Sequence, residues 1–128
     1  MDIEKLKNNE KFTAWWPEHD IIISLKESPE FNLNIWNGYV VAIVSPPIFT
    51  NKNWVGFTRD YQEFTGAWAW DGIVEIEDVD EYIWDMLRYK DKKYDPIWER
   101  TVPEVFDLIL DFLTYAKETG QTVVMEMD

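Results

Sequence analysis

The sequence predicts a single α+β domain: a mainly antiparallel sheet, expected as a meander, covered on one face by helices. Three observations predict it. First, strand-like segments gather in the front half. Residues 20–26 are β-branched and apolar, and Phe31, Leu33 and Ile35 alternate with Asn32 and Asn34. Second, apolar residues recur at helical spacing twice in the back half, at Val79, Tyr82, Ile83, Met86 and Leu87, and from Val105 to Ala116. Third, the second of these stripes stops near Gly120, and the chain closes on the strand-like residues 122–127.

In chain order, residues 2–9 read as a short helix with Ile3 and Leu6 on one face. Thr13 to Pro17 read as a break, because Pro17 disfavours helix at Trp16. A strand over 20–26 and a turn at Glu27-Ser28-Pro29-Glu30 lead into the alternating strand from Phe31. Asn37-Gly38 sits between apolar runs, which predicts a type I′ hairpin and a third strand over 39–45, ended by Pro46-Pro47. Residues 51–53 read as a loop and 54–59 as a fourth strand. Residues 60–66 read as a turn or short excursion. In 67–70, small and large residues alternate, so Trp68 and Trp70 would share a face if extended. Asp71-Gly72 is a second turn signal before a strand over 73–77.

Asp78-Val79-Asp80-Glu81 has the form of a capping box, an acceptor at the N-cap and Glu three residues later. Tyr94-Asp95-Pro96 marks a linker, and Thr101-Val102-Pro103-Glu104 a second box with proline in the first turn. Gly120 is a suitable C-terminal stop.

At 128 residues with 46% hydrophobic content, the chain can bury a core without disulfides or a structural metal. Its 8 Trp, 6 Tyr and 7 Phe exclude a disordered acidic tail, which would be poor in aromatics. Most of the eight indoles, at least five, are expected in the core. The absence of cysteine excludes thiolate nucleophiles and Cys-based zinc sites. Residues 1–10 lack the apolar core of a secretory leader, and no apolar run approaches the ~20 residues that span a bilayer. The expectation is a cytoplasmic protein.

Charge narrows the function further. The chain carries 25 acids and 12 bases, a net charge of -13. Residues 1–70 hold 9 acids and 6 bases, and residues 71–128 hold 16 acids and 6 bases. Such a field repels nucleic acid and anionic membrane and accelerates encounter with basic proteins. No catalytic or nucleotide-binding motif competes with it: G-x-S-x-G, H-E-x-x-H, Walker A and G-x-G-x-x-G are all absent. His19, the single histidine, reads as an incidental residue before the first strand. The chain is therefore expected to be a binding protein, with no catalytic residue, metal or cofactor.

The densest acid run is 75–81, with five carboxylates in seven positions. A hard-cation site would use such oxygens, but the EF-hand spacing and glycine are missing. Helix N-terminal stabilisation accounts for Asp78, Asp80 and Glu81. It leaves Glu75 and Glu77, and with them Asp71, Asp85, Asp91 and Asp95, open to a third reading, a face for a cationic partner. On the last helix Glu104, Asp107 and Asp111 are same-sign neighbours with no base at i+4 from Asp107 or Asp111. Trp84 falls off the apolar stripe of its helix and close to Glu81 and Asp85, the composition of a pocket for Arg or Lys. The partner face is accordingly expected to comprise Asp71, Glu75, Glu77, Asp80, Glu81, Trp84, Asp85, Asp107 and Asp111, with Trp68 and Trp70.

A small, acidic, cysteine-free and Trp-rich chain without catalytic motifs resembles bacterial immunity proteins, of the contact-dependent growth-inhibition type or barstar-like. The local likeness to barstar lies in the last helix, Ala116-Lys117-Glu118-Thr119-Gly120 and the closing strand. The front half departs from barstar. The resemblance implies an inhibitor that neutralises a basic toxin domain, with a nuclease the fitting class because its phosphate cleft is cationic. Two alternatives use other features: a phage-type DNA mimic with acids spaced along an elongated surface, and a carbohydrate-binding module with Trp68 and Trp70 as a platform.

Overall fold

The computed structural model of the chain describes residues 2–13, 19–44, 54–66 and 73–127. They form an α+β unit. The strands are β1 (Asn9–Phe12), β2 (Asp20–Leu25), β3 (Asn32–Trp36), β4 (Ile73–Ile76) and β5 (Val123–Met127). The helices are α1 (Asn37–Val44), α2 (Gly56–Gly66), α3 (Val79–Leu87) and α4 (Val102–Thr119). The five strands make one sheet in the order β1-β3-β2-β5-β4. β1 and β3 are parallel and the other neighbours antiparallel.

Period-two alternation sets the register. Ile21, Ile23 and Leu25 of β2 are buried, as are Leu33 and Ile35 of β3 and Val123, Met125 and Met127 of β5. Pairing places Ile21 between Ile35 and Met127, and Ile23 between Leu33 and Met125, so the inward residues form continuous rows. A one-residue slip would turn every one of these side chains outward. Against them pack Val105, Leu108, Ile109, Phe112, Leu113 and Ala116 of α4, with Val40, Ile43 and Val44 of α1. The opposite face of the sheet, with Ile22, Ser24, Asn32, Asn34, Val124 and Glu126, is half-exposed.

The strands expected over 20–26, 31–35, 73–77 and 122–127 and both back-half helices are present. The sequential order of a meander is not, because β5 returns between β2 and β4. Residues 2–9 are helical only as a 3-10 turn over Ile3–Leu6; Asn8 then takes a left-handed φ of 43°, and the chain turns into β1. Asn37-Gly38 does not make a hairpin, and where a third strand was expected over 39–45, residues 39–44 are helical. Asn37 opens α1, where the Tyr61 hydroxyl donates to its side-chain oxygen, and Val40, Ile43 and Val44 face the core at helical spacing. Gly38 serves a close contact instead. A Cβ there would lie 2.5 Å from the Trp36 ring, which is held by Tyr39 and Trp98 at centroid distances of 5.0 and 5.9 Å.

The strand expected over 54–59 is likewise replaced, by the start of α2, where Phe57 and Tyr61 bury their rings one turn apart. The Thr101 side chain makes no capping bond, whereas Asp78 accepts from the Glu81 N–H at 3.0 Å as expected. Gly120 closes α4 with a left-handed φ of 66°. No described Trp is fully buried: Trp36, Trp54 and Trp98 are half-buried and Trp84 is exposed. Trp98 packs against the core, and the other four indoles, at 15, 16, 68 and 70, lie outside the described residues. The smaller rings of Phe57, Phe112, Tyr82 and Tyr89 fill the interior instead, since an indole is rarely enclosed completely. Among the described residues no helix is long and apolar enough to cross a membrane.

Gly38→Ala should lower stability by about 1–3 kcal/mol through overpacking against Trp36. In a Trp36→Leu background the same change should become neutral or stabilising, since alanine is the better helix former. Urea unfolding of the four variants checks this; an equal cost in both backgrounds would contradict the contact.

Candidate functional site

The site begins with the first turn of α2, whose N–H groups have no partner within the helix. Two carboxylates from α3, one helical turn apart, supply them. Glu81 Oε1 accepts from the Gly56 N–H at 2.7 Å, and Asp85 Oδ2 accepts from the Thr58 N–H at 2.7 Å. Asp85 Oδ2 also accepts from Thr58 Oγ1 at 2.7 Å, and that hydroxyl shares a 2.6 Å hydrogen bond with the Tyr89 hydroxyl. The approach is close. Gly56 has a φ of 52°, and a Cβ there would sit 2.8 Å from the Glu81 carbonyl oxygen. Glycine meets both demands.

Asp85 is 0% exposed, and its Oδ1 has no hydrogen-bond partner. Burial pushes its carboxyl above the ordinary value, and the Glu81 charge adds to this; the bonds from Thr58 and the nearby Arg88 charge oppose it. Glu81 also has a cation in reach, with Arg59 Nη1 at 2.9 Å, while Arg59 Nε lies 3.1 Å from Asp60 Oδ1. Tyr82 donates its hydroxyl proton to Asp60 Oδ2. Burial first, and then Asp60, hold that hydroxyl protonated well above the usual phenol range.

These contacts fix one wall of a groove of about 390 Å³ whose other wall is β4. Its lining comprises Arg59, Asp60, Val74, Glu75, Glu77, Asp78, Glu81 and Tyr82, five carboxylates against one guanidinium. Lys26 reaches Glu75 from the side at 2.7 Å, but both are more than half exposed, so the pair is screened. Glu77 is exposed and, among the described residues, makes no hydrogen bond or ion pair.

The acids expected to form the partner face therefore divide. Glu75, Glu77 and Glu81 line the groove together. Asp85 is withdrawn from solvent by its capping role and cannot touch a partner in this state. Asp80 pairs with Lys117 of α4 at 2.6 Å. Asp111 pairs with Lys5, and Glu104 with Lys11 at 2.7 Å. The cations that balance α4 thus come from the first residues of the chain, and Asp107 is exposed between them. Trp84 is 56% exposed, but Arg88 of its own helix lies 4.8 Å from its ring centroid, so that ring already carries a cation. Asp71, Trp68 and Trp70 lie outside the described residues.

Sequence reasoning missed Arg59, Asp60 and Tyr82 as lining, and took Asp78 for a cap alone. The spacing of Phe57 and Tyr61 was the available signal: read as a helix, residues 56–66 bring Arg59 and Asp60 onto one short segment. Among the described residues no group of three or more His, Asp or Glu is arranged to hold a metal ion. Comparison with family models, with curated proteins and with solved structures gives no match to the chain.

Two substitutions at Asp85 separate its roles. Asp85→Ala strands the buried Thr58 N–H and should cost about 1–3 kcal/mol in urea unfolding. Asp85→Asn bears on pH. The raised pKa means that the folded state binds the Asp85 proton more tightly than the unfolded chain, so this group's contribution to stability falls as pH rises above the unfolded value. Wild type should therefore lose stability relative to Asp85→Asn as pH rises from about 4 through the acid-to-neutral range. A constant difference across that range would contradict the buried carboxyl.

Proposed function

We propose that the chain is a non-enzymatic binding protein that docks a basic protein partner at the groove between β4 and the α2–α3 pair. It would act as an immunity protein does, neutralising a toxin domain, with a nuclease as the class of toxin. The observation that carries this reading is the concentration of unbalanced carboxylate in one concave place, five acids around a single arginine. Asp111, Glu104 and Asp80 pair with Lys5, Lys11 and Lys117, as Glu75 does with Lys26; what sets the groove apart is that five acids share one concavity. A compact acidic groove suits a cationic cleft or protruding basic segment better than it suits mimicry of a long phosphate row. Tyr82, at the floor with its hydroxyl held by Asp60, supports the lining without being free to reorganise.

The test is co-purification with the product of the neighbouring reading frame, followed by stopped-flow association. A stable complex is expected. The Glu75→Lys/Glu77→Lys double variant should slow association about tenfold at low salt, with the gap narrowing as salt is added. Failure to recover the neighbour, or an unchanged on-rate in the double variant, would remove the reading.

A further inference from the structure

β4 is the last strand of the sheet and hydrogen-bonds along one side only, to β5. Among the described residues, Ile73 to Ile76 have no other backbone partner. Edge strands are commonly blunted by proline, lysine, a bulge or a covering element. β4 has no proline or lysine, and its register with β5 runs unbroken from Ile73↔Glu126 to Ile76↔Val123. Ile73 is 65% exposed. The opposite edge differs: β1 carries Lys11, which bridges to α4, and its register with β3 is irregular.

What distinguishes the β4 edge is its charge. Glu75 and Glu77 alternate along the chain, so they share a face with exposed Ile73, while Val74 and the Arg59, Asp60 and Tyr82 side chains line the groove alongside. A second copy of the chain is a poor occupant, because pairing β4 with itself brings like carboxylates across the ladder, and two molecules of charge -13 repel. A strand bearing Lys or Arg turns the same positions into opposite-charge cross-strand pairs.

We propose that β4 receives an extended basic segment of the partner as a sixth strand. Main-chain hydrogen bonds would supply affinity, and alternate Lys or Arg side chains meeting Glu75, Glu77 and the groove would supply specificity. This rests on the docking reading above and adds the mode of recognition to it.

The probe is a short end-blocked peptide alternating Arg and Val, titrated into the full ¹⁵N-labelled chain, with amide hydrogen exchange read residue by residue. A second peptide of equal charge, with Pro in place of Val, cannot enter a ladder. Expected is at least about tenfold slower exchange within residues 73–76 with the Arg–Val peptide only, and binding weakened at least about tenfold by Glu75→Lys/Glu77→Lys. If both peptides bind equally and no β4 amide gains protection, strand addition is overturned while groove docking stands. If neither peptide perturbs the groove, both readings fall. Protection of Asn9–Phe12 instead of β4 would also overturn the proposal.

Discussion

The capping of α2 by Glu81 and Asp85 is the contact on which the candidate site rests. Two carboxylates one turn apart on α3 meet the exposed N–H groups of the next-door helix, at 2.7 Å each. Hydrogen bonds to a charged acceptor are worth more than neutral ones, and a buried N–H left alone costs more still. Burying Asp85 is unfavourable in itself, and Thr58 offsets this with both of its donors. Gly56 allows the backbones close enough for the bonds to form. With α2 fixed in this way, Arg59 and Asp60 are held opposite β4, and the groove has a second wall.

This contact also changes what the negative charge means. A net charge of -13 suggests a broad acidic face, but nine acids of the groove, α3 and α4 fall into three kinds. Asp85 is buried structure and Glu81 is shared between structure and groove. Asp80, Glu104 and Asp111 are tied to lysines on other elements, pairs that each add only about 0–1 kcal/mol but offset part of the charge around α4. Glu75, Glu77, Asp78 and Asp60 remain with Glu81 around one arginine. Five carboxylates are thus gathered in one concavity beside β4, where an incoming cation meets them together.

How far the chain could be read follows from the range of each interaction. β2, β3 and β5 were legible because a half-buried strand writes its burial as strict alternation, and α3 and α4 because a wide apolar stripe has one period. Asn37-Gly38 misled because turn chemistry is a local signal, whereas Gly38 answers to the Trp36 ring and α1 answers to the core. α2 was missed because its N-terminal stabilisation comes from residues 25 and 27 positions away, and its aromatic content imitates a strand. The sheet order was not legible at all, since β5, the last strand in the chain, lies between β2 and β4, and partners so far apart in sequence leave no local pattern. In the site, the acids at 75, 77 and 81 could be found from their density. Arg59, Asp60 and Tyr82 could not, and the pairing of Asp111 and Glu104 with lysines some hundred residues earlier is invisible to any local pattern.

The central claim is that acids close together in sequence do two different jobs, with Asp85 locked inside and Glu75 and Glu77 available outside. Carbon-13 observation of every side-chain carboxyl through a pH titration, repeated with a basic peptide present, tests it directly. The account predicts that Asp85 titrates above the ordinary aspartate range and is indifferent to the peptide, while the Glu75 and Glu77 signals move when the peptide is added. An ordinary titration of Asp85, or peptide-induced shifts at Asp107 and Asp111 with none at Glu75 and Glu77, would contradict it.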